Sequence, residues 1–242
     1  MGRWTLGTAA VLAASATIAA ACMLQAAAPP EEKKFAKDVV LHVEWNYAQW
    51  LPEGYAAHDK KWPLLVFLHG AGEVGGRLAS VERHGPPKLA AAGRKFPFIL
   101  VAPQSPHLLW NPIEMNAFTE EMLKTLKVDA TRVWITGVSM GGNATWMAAS
   151  IRPELYAAAV PVCGWGDFFM VRRIAVMGVW AFHGAKDPIV PVAKTQELVD
   201  AIKLVGGKPK LIFYFEAQHD SWTQAYDDPE LWKWLEAQKR EE

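Results

Sequence analysis

One serine of this 242-residue chain lies in a pattern that is typical of an activated nucleophile. Ser139 is the centre of the segment GVSMG at residues 137–141, which follows an apolar run at 133–136 and opens a helical pattern at 140–151. A strand followed at once by a helix forces a sharp turn at the serine, and glycines on both sides of it avoid steric collisions. Without those flanks the segment would fit an ordinary glycine-rich helix start equally well. With them, it predicts that the Ser139 hydroxyl is held out at the edge of a sheet.

A base and a carboxylate follow Ser139 in the chain at suitable places. A serine hydroxyl is a poor nucleophile at neutral pH, so it needs a base, and the base needs an orienting carboxylate. Asp187 lies in a loop after the apolar run at 179–182, and His219 lies in the loop after the final predicted strand. The intervals of 48 and then 32 residues leave room for one helical crossover each. We expect His219 to take the proton of Ser139, and Asp187 to fix the tautomer of His219.

Other residues near these positions have competing interpretations. Asp220 adjoins His219 and is the alternative carboxylate, although it is also suited to bonding the local backbone. His183 directly follows a strand and is interpreted as a structural histidine. Cys163 also follows a strand, but no base matches it, so we interpret it as a buried thiol. His69 precedes a glycine turn and is expected to brace it.

Acyl transfer also needs hydrogen-bond donors for the developing oxyanion. The apolar run at 64–68 is followed by the glycine-rich segment HGAGE at 69–73, whose backbone N–H groups are free to point inward. We expect the N–H groups of Ala71 and Met140 to form the oxyanion hole, and Gly72 to be a further donor or substrate contact. Trp110 and Trp165 follow predicted strand ends and are candidate substrate-binding residues, with core packing as the competing interpretation.

The pattern along the chain predicts an α/β fold with a mostly parallel sheet and helices on both faces. Apolar runs of strand length alternate with helical periodicity, and such runs are typical of strands buried on both faces. Strands are predicted at residues 41–44, 47–51, 64–68, 98–102, 133–136, 157–162, 179–182 and 211–215. Helices are predicted near residues 81–92, 117–127, 140–151, 193–205 and 230–239. Ligands of such sheets bind beyond the carboxyl ends of the strands, where the candidate residues lie.

The composition excludes several classes of protein. Hydrophobic residues make up 51 % of the chain, enough for a large core, and the 25 basic residues balance the 25 acidic ones. A neutral chain without a basic stripe is unlike a nucleic-acid binder. Two cysteines, Cys22 and Cys163, provide neither a disulfide framework nor a cysteine zinc site.

The first thirty residues are interpreted as a leader rather than as part of the fold. Arg3 is followed by an uncharged, alanine-rich stretch to Pro30, and Ala19-Ala20-Ala21 resembles a cleavage site. There are two alternatives to a cleaved signal peptide. The protein is a lipoprotein acylated at Cys22, or the stretch is retained as an uncleaved membrane anchor. All three interpretations of the leader predict an exported protein that contacts a membrane only through residues 1–30. Residues 31–242 are predicted to form a single domain.

The chain resembles the α/β-hydrolase superfamily and, within it, bacterial carboxylesterases related to dienelactone hydrolase and phospholipase/carboxylesterase, often labelled predicted peptidases. The matching stretches are LLVFLHGAG (64–72), HGPPK (84–88), FPFILVAPQ (96–104), WITGVSMGG (134–142), AVPVCG (159–164), HGAKDPIVPV (183–192) and HDSW (219–222). The resemblance implies a serine carboxyl-ester hydrolase without metal or organic cofactor, with Ser139, Asp187 and His219 as its triad. Trp165 departs from the family's glycine-rich run and is expected to narrow the pocket. No lid is inserted between Val162 and Val179, which argues against a long-chain lipase.

Three functions follow from these observations. The leading hypothesis is an esterase that forms an acyl-enzyme with small or medium carboxylic esters, including carbohydrate- or phenolic-linked ones. The second is a serine peptidase of the same fold that acts on short peptides. The third, of a different class, is a catalytically silent envelope protein that binds glycans through tryptophan.

Overall fold

A seven-stranded sheet forms the centre of the molecule, whose computed structural model describes residues 30–241. The strands, in chain order, are β1 (Tyr47–Trp50), β2 (Trp62–Leu68), β3 (Ile99–Pro103), β4 (Val128–Val138), β5 (Ala158–Val162), β6 (Gly178–Gly184) and β7 (Lys210–Tyr214). Their order across the sheet is β1-β3-β2-β4-β5-β6-β7, and only β1 pairs antiparallel with its neighbour. This confirms the predicted fold class.

Six α-helices connect or follow the strands. They are α1 (Gly85–Ala91), α2 (Pro112–Thr125), α3 (Met140–Ile151), α4 (Ala193–Leu204), α5 (Trp222–Asp227) and α6 (Pro229–Glu236). Two of them begin with a capping side chain followed by proline: Asn111 accepts from the N–H of Ile113 before α2, and Asp228 accepts from the N–H of Glu230 before α6. None of the helices in residues 30–241 has the length and apolarity needed to cross a bilayer.

The core has two layers because both faces of the sheet are covered. Successive side chains of a strand point to opposite faces. In β2, Leu64, Val66 and Leu68 therefore join one buried cluster, and Leu65 and Phe67 join the other. All seven residues of β2 are buried, as the uninterrupted apolar run predicts. The rigid ends of these central strands carry the loops that form the candidate site.

Two predicted elements differ from the structure in kind, while α2 and β4 differ in their bounds, since α2 begins before residue 117 and β4 extends on both sides of residues 133–136. Residues 41–44 form no strand, because no strand of the described chain pairs with this segment, and the first strand begins at Tyr47. The predicted helix at 81–92 is divided into a 3-10 helix, Leu78–Arg83, and α1. The break occurs at Gly85, whose φ of 61° lies in the left-handed region, just before two prolines that start α1.

The connection between β5 and β6 contains no lid. Residues 163–177, all of them described, hold a single short 3-10 helix, Met170–Ile174. The predicted leader at residues 1–30 lies outside the described residues except for Pro30, so the structure does not test it. Residues 30–40 contain no helix or strand.

Candidate active site

Ser139 occupies a strained turn between β4 and α3. Its φ of 54° and ψ of −114° are rare for a residue with a side chain, and such strain persists only where the surroundings enforce it. The two flanking glycines enforce it here, because a Cβ on Gly141 would overlap the carbonyl oxygen of Leu68, and a Cβ on Gly137 would overlap that of Gly141. The backbone thus passes close to β2, and the Ser139 side chain projects beyond the sheet.

The structure brings the three predicted triad residues together. The Nε2 atom of His219 lies 2.9 Å from Oγ of Ser139, and its Nδ1 atom lies 2.7 Å from Oδ2 of Asp187. With Nδ1 protonated towards the carboxylate, Nε2 is free to accept the Ser139 proton. Asp220, the alternative carboxylate, instead caps the start of α5 by accepting from the N–H and the hydroxyl of Thr223.

Asp187 is buried and held as a carboxylate. Its Oδ1 atom accepts from the N–H groups of Ile189 and Val190, at 2.8 and 2.9 Å. Burial opposes ionisation, but the hydrogen bonds from His219 and from these two amides outweigh it and keep the pKa of Asp187 below its ordinary value. A charged acceptor therefore faces His219 at neutral pH.

The glycine loop, residues 69–73, follows β2 and is fastened to its surroundings at several points. His69 braces the loop as predicted, since its Nε2 accepts from the N–H of Ser105 and its carbonyl accepts from Nε1 of Trp110. Burial lowers the pKa of His69, which suits its role as a neutral acceptor. Arg83 donates to the carbonyl of Gly72 at 3.2 Å. These contacts set the direction in which the N–H of Ala71 can point.

The predicted oxyanion donors flank the nucleophile. Ala71 and Met140 line the same cavity as Ser139. Met140 is the first residue of α3, where a backbone N–H has no partner within its own helix and lies at the positive end of the helix dipole. Gly72 is not among the residues that line this cavity; its structural contact is the carbonyl bond to Arg83.

A cavity of about 420 Å³, here called the Ser139 cavity, opens beside the nucleophile. Its walls are almost entirely apolar, and Lys194 is its one charged lining residue. The apolar side chains are those of Leu108, Leu109, Trp165, Ile189, Val190 and Pro191. Trp165 therefore lies where the prediction placed it. Trp110 does not reach the cavity, because it is buried behind the glycine loop, where its indole N–H is used by His69.

Sequence reasoning missed several residues around the site. The wall formed by Leu108 and Leu109 belongs to an irregular loop, and Ile189 follows the predicted acid by only two residues. Glu73, read only as the end of a glycine-rich segment, is a buried carboxylate with Arg83 at 3.3 Å and His84 at 3.7 Å. The sequence did contain an indication that this carboxylate is buried, because Glu73 follows three small residues directly after a buried strand.

One group of potential metal ligands occurs among the described residues, and it overlaps the site. Atoms of Cys163, Asp187 and His219 lie within 4.8 Å of one another. Burial raises the pKa of the Cys163 thiol to about 12, so it is protonated at neutral pH and is a poor ligand. Asp187 and His219 already bond each other. The three side chains therefore fit a hydrogen-bonded Asp187–His219 pair next to a buried Cys163 thiol better than they fit a metal site.

Comparisons with known proteins agree with this geometry. Residues 114–175, which include Ser139 but neither Asp187 nor His219, match the model of the prolyl oligopeptidase family. A thermostable esterase of known structure is 34 % identical with a TM-score of 0.69, and the match covers 82 % of this chain and 60 % of the esterase. The structure of esterase PE8 matches with a TM-score of 0.61 at 18 % identity, over 80 % of this chain and 99 % of that one.

A relative from Paucimonas lemoignei, poly(3-hydroxyalkanoate) depolymerase C, is 28 % identical over 47 % of this chain and 30 % of its own length. The chain thus spans about a third of this relative and under two thirds of the thermostable esterase. The strand order, the strained serine turn and these similarities together show that the chain has the α/β-hydrolase fold.

Proposed function

We propose that the chain is a serine carboxylesterase that acts through an acyl-enzyme. The observation that carries the proposal is the continuous Ser139–His219–Asp187 hydrogen-bond chain at the mouth of an apolar cavity. The serine hydroxyl, the imidazole and the carboxylate lie in the order that nucleophilic catalysis requires. The similarity to a thermostable esterase supports the same reaction class.

The reaction proceeds in two halves. Nε2 of His219 accepts the proton of Ser139 as Oγ attacks the ester carbonyl, and the N–H groups of Ala71 and Met140 stabilise the negative oxygen. His219 then gives the proton to the departing alcohol, which leaves an acyl group on Ser139. In the second half, His219 accepts a proton from water, the resulting hydroxide attacks the acyl carbonyl, and the proton returns to Ser139 as the carboxylic acid departs.

The Ser139 cavity favours an apolar acyl group of small or medium size. Its volume of about 420 Å³ exceeds that of a short acyl chain, and its aliphatic and indole walls offer no partner for several hydroxyls. The depolymerase relative, which by its name acts on poly(3-hydroxyalkanoate), supports including aliphatic hydroxyacid esters among the substrates. Phenolic and sugar-linked acetyl esters remain candidates for the same cavity and belong in the substrate panel.

Peptidase activity is the second candidate, because the family model matched at residues 114–175 is that of prolyl oligopeptidases. The distinguishing experiment compares kcat/KM for p-nitrophenyl butyrate with that for aminoacyl p-nitroanilides. We expect ester turnover to dominate and to be lost in Ser139→Ala. Ser150→Ala is the matched control, since Ser150 is in α3 as well and its buried hydroxyl has no partner among the described residues. Anilide turnover equal to ester turnover would favour the peptidase.

We also propose that the protein is exported, on the ground of the uncharged alanine-rich stretch before Pro30. The test is the N-terminal mass of the protein recovered from cell fractions. Cleavage after Ala21, acylation of Cys22 and retention of the whole stretch give three different masses. Recovery of the intact, unmodified chain from the cytosol would contradict export.

A further inference from the structure

We propose that His183 is a positioning residue that shares the Asp187 carboxylate with His219 and limits how strongly Asp187 pulls on the His219 ring. The inference rests on the proposed function of the triad. His183 ends β6 with its side chain fully buried, and its Nε2 atom lies 3.2 Å from Oδ2 of Asp187. This is the same carboxylate oxygen that His219 contacts at 2.7 Å.

The hydrogen-bond partners of His183 determine where its proton lies. Nε2 faces two acceptors, the carbonyl of Val190 at 2.9 Å and Oδ2 of Asp187, so Nε2 carries a hydrogen. Nδ1 lies 2.7 Å from Oγ1 of Thr195. Burial lowers the pKa of His183, although the Val190 carbonyl and Asp187 oppose this effect, so the ring is neutral near pH 7. With Nε2 protonated, Nδ1 accepts from the hydroxyl of Thr195, whose oxygen also lies 3.0 Å from the carbonyl of Gly164, a second acceptor for the same proton.

A neutral ring whose Nε2–H bonds the Val190 carbonyl and also faces Oδ2 of Asp187 at 3.2 Å disperses part of the carboxylate charge. Less charge is then left on Oδ2 to stabilise the protonated ring of His219. Two further donors, the amides of Ile189 and Val190, occupy Oδ1, so His183 is the donor that competes with His219 at the same oxygen. The arrangement keeps His219 able to release its proton to a leaving alcohol as well as to accept one from Ser139.

The other ionisable groups around this pair do not substitute for His183. Cys163 is protonated, and Asp220 caps α5. Lys186 is paired with Glu216, and Lys194 with Glu197, both on the exposed side of their loops. His84 is separated from His219 by the Trp222 ring, which lies 5.1 Å from the former and 5.4 Å from the latter.

The experiment compares wild type, His183→Phe, His183→Gln and Thr195→Val by the pH profile of kcat/KM for p-nitrophenyl butyrate. Phenylalanine keeps the ring volume without a donor, so the midpoint of the acid limb should move up by about half a pH unit or more. Glutamine can donate to Oδ2 again and should restore the wild-type midpoint. Thr195→Val makes the Nε2–H of His183 a weaker donor and should move the midpoint in the same direction by less.

A second readout does not depend on ester turnover. The proton NMR signal of the Nδ1–H group of His219 should move downfield in His183→Phe, because Asp187 becomes its stronger acceptor. A merely structural role would lower the active fraction, titrated with a fluorophosphonate, and leave both the midpoint and the proton signal in place. That result in folded His183→Phe, or in Thr195→Val if the first variant does not fold, overturns the proposal. If the wild type hydrolyses no ester, only the proposed function is refuted. The NMR comparison of wild type with His183→Phe would still measure the effect of His183 on the Asp187–His219 hydrogen bond.

Discussion

The buried carboxylate of Glu73 lies close to the place where the proposed reaction develops negative charge. A Cβ on Gly70 would lie 3.4 Å from Oε2 of Glu73 and 3.7 Å from Cβ of Ser139, so the two side chains face each other across this glycine. Arg83 supplies the opposite charge at 3.3 Å from Glu73 and also donates to the glycine loop. Replacing Arg83 with methionine removes this charge and leaves the carboxylate unbalanced.

The expected size of the effect follows from the distances. Oε2 of Glu73 lies at most about 7 Å from Cβ of Ser139, and two like charges about 7 to 10 Å apart repel by roughly 2 kcal/mol in an effective dielectric of about 20. The Arg83 side chain is 56 % exposed, so solvent screens part of its effect. We therefore expect Arg83→Met to lower kcat by about tenfold. Glu73→Gln should restore most of that loss in the double variant, because neither charge then remains.

The assay is kcat for p-nitrophenyl butyrate at low ionic strength, with thermal unfolding to show that each variant is folded. Arg77→Met is the matched control, since Arg77 is an exposed arginine on the same segment and has no ion pair among the described side chains. A double variant as slow as Arg83→Met would refute the electrostatic reasoning. It would mean that Arg83 acts only by holding the carbonyl of Gly72.

Three further predictions concern the turn, the cavity and the buried histidines. Gly141→Ala should prevent stable folding, measured by circular dichroism and yield, because its Cβ would overlap the Leu68 carbonyl; a folded, active variant would contradict the account of the turn. Trp165→Ala should enlarge the Ser139 cavity and raise kcat/KM for octanoate relative to acetate esters by about tenfold; an unchanged ratio would remove Trp165 from the substrate wall. Burial lowers the pKa of His69 and of His183 in the folded chain. Below about pH 6.5 the unfolded chain therefore binds more protons than the folded one, and the free energy of unfolding decreases as the pH is lowered, by up to about 1.4 kcal/mol per pH unit for each histidine. Chemical denaturation between pH 5 and pH 8 (about the range in which histidine titrates) measures this, and a free energy of unfolding that is flat across that range would contradict it.

The sequence was sufficient for the features that depend on strand ends. Parallel strands bring their carboxyl ends to one edge of the sheet, so residues that follow three separate apolar runs must meet there. For this reason Ser139, Asp187 and His219 could be named together although 80 residues separate the first from the last. The start of α3 was equally predictable, because the glycines around Ser139 allow the sharp turn that an apolar strand followed at once by a helical pattern requires.

Features that depend on contacts distant in the chain could not be predicted in this way. Trp110 follows a strand as Trp165 does, yet one indole is buried against His69 and the other lines the cavity, and only the path of the intervening loops decides which. The pairing of Glu73 with Arg83 likewise requires the 3-10 helix Leu78–Arg83 to fold back over the glycine loop. Residues 41–44 have a strand-like pattern, but a strand also needs a neighbouring strand to pair with, and no described strand pairs with this segment.

The central claim, that His219 activates Ser139 as a nucleophile, is tested most directly by the site and rate of covalent labelling with a fluorophosphonate. Peptide mass mapping of the full chain should place a single adduct on Ser139, and the labelling rate should fall by about a thousandfold or more in His219→Ala. An adduct on a different residue, or equal labelling rates for wild type and His219→Ala, would contradict the account.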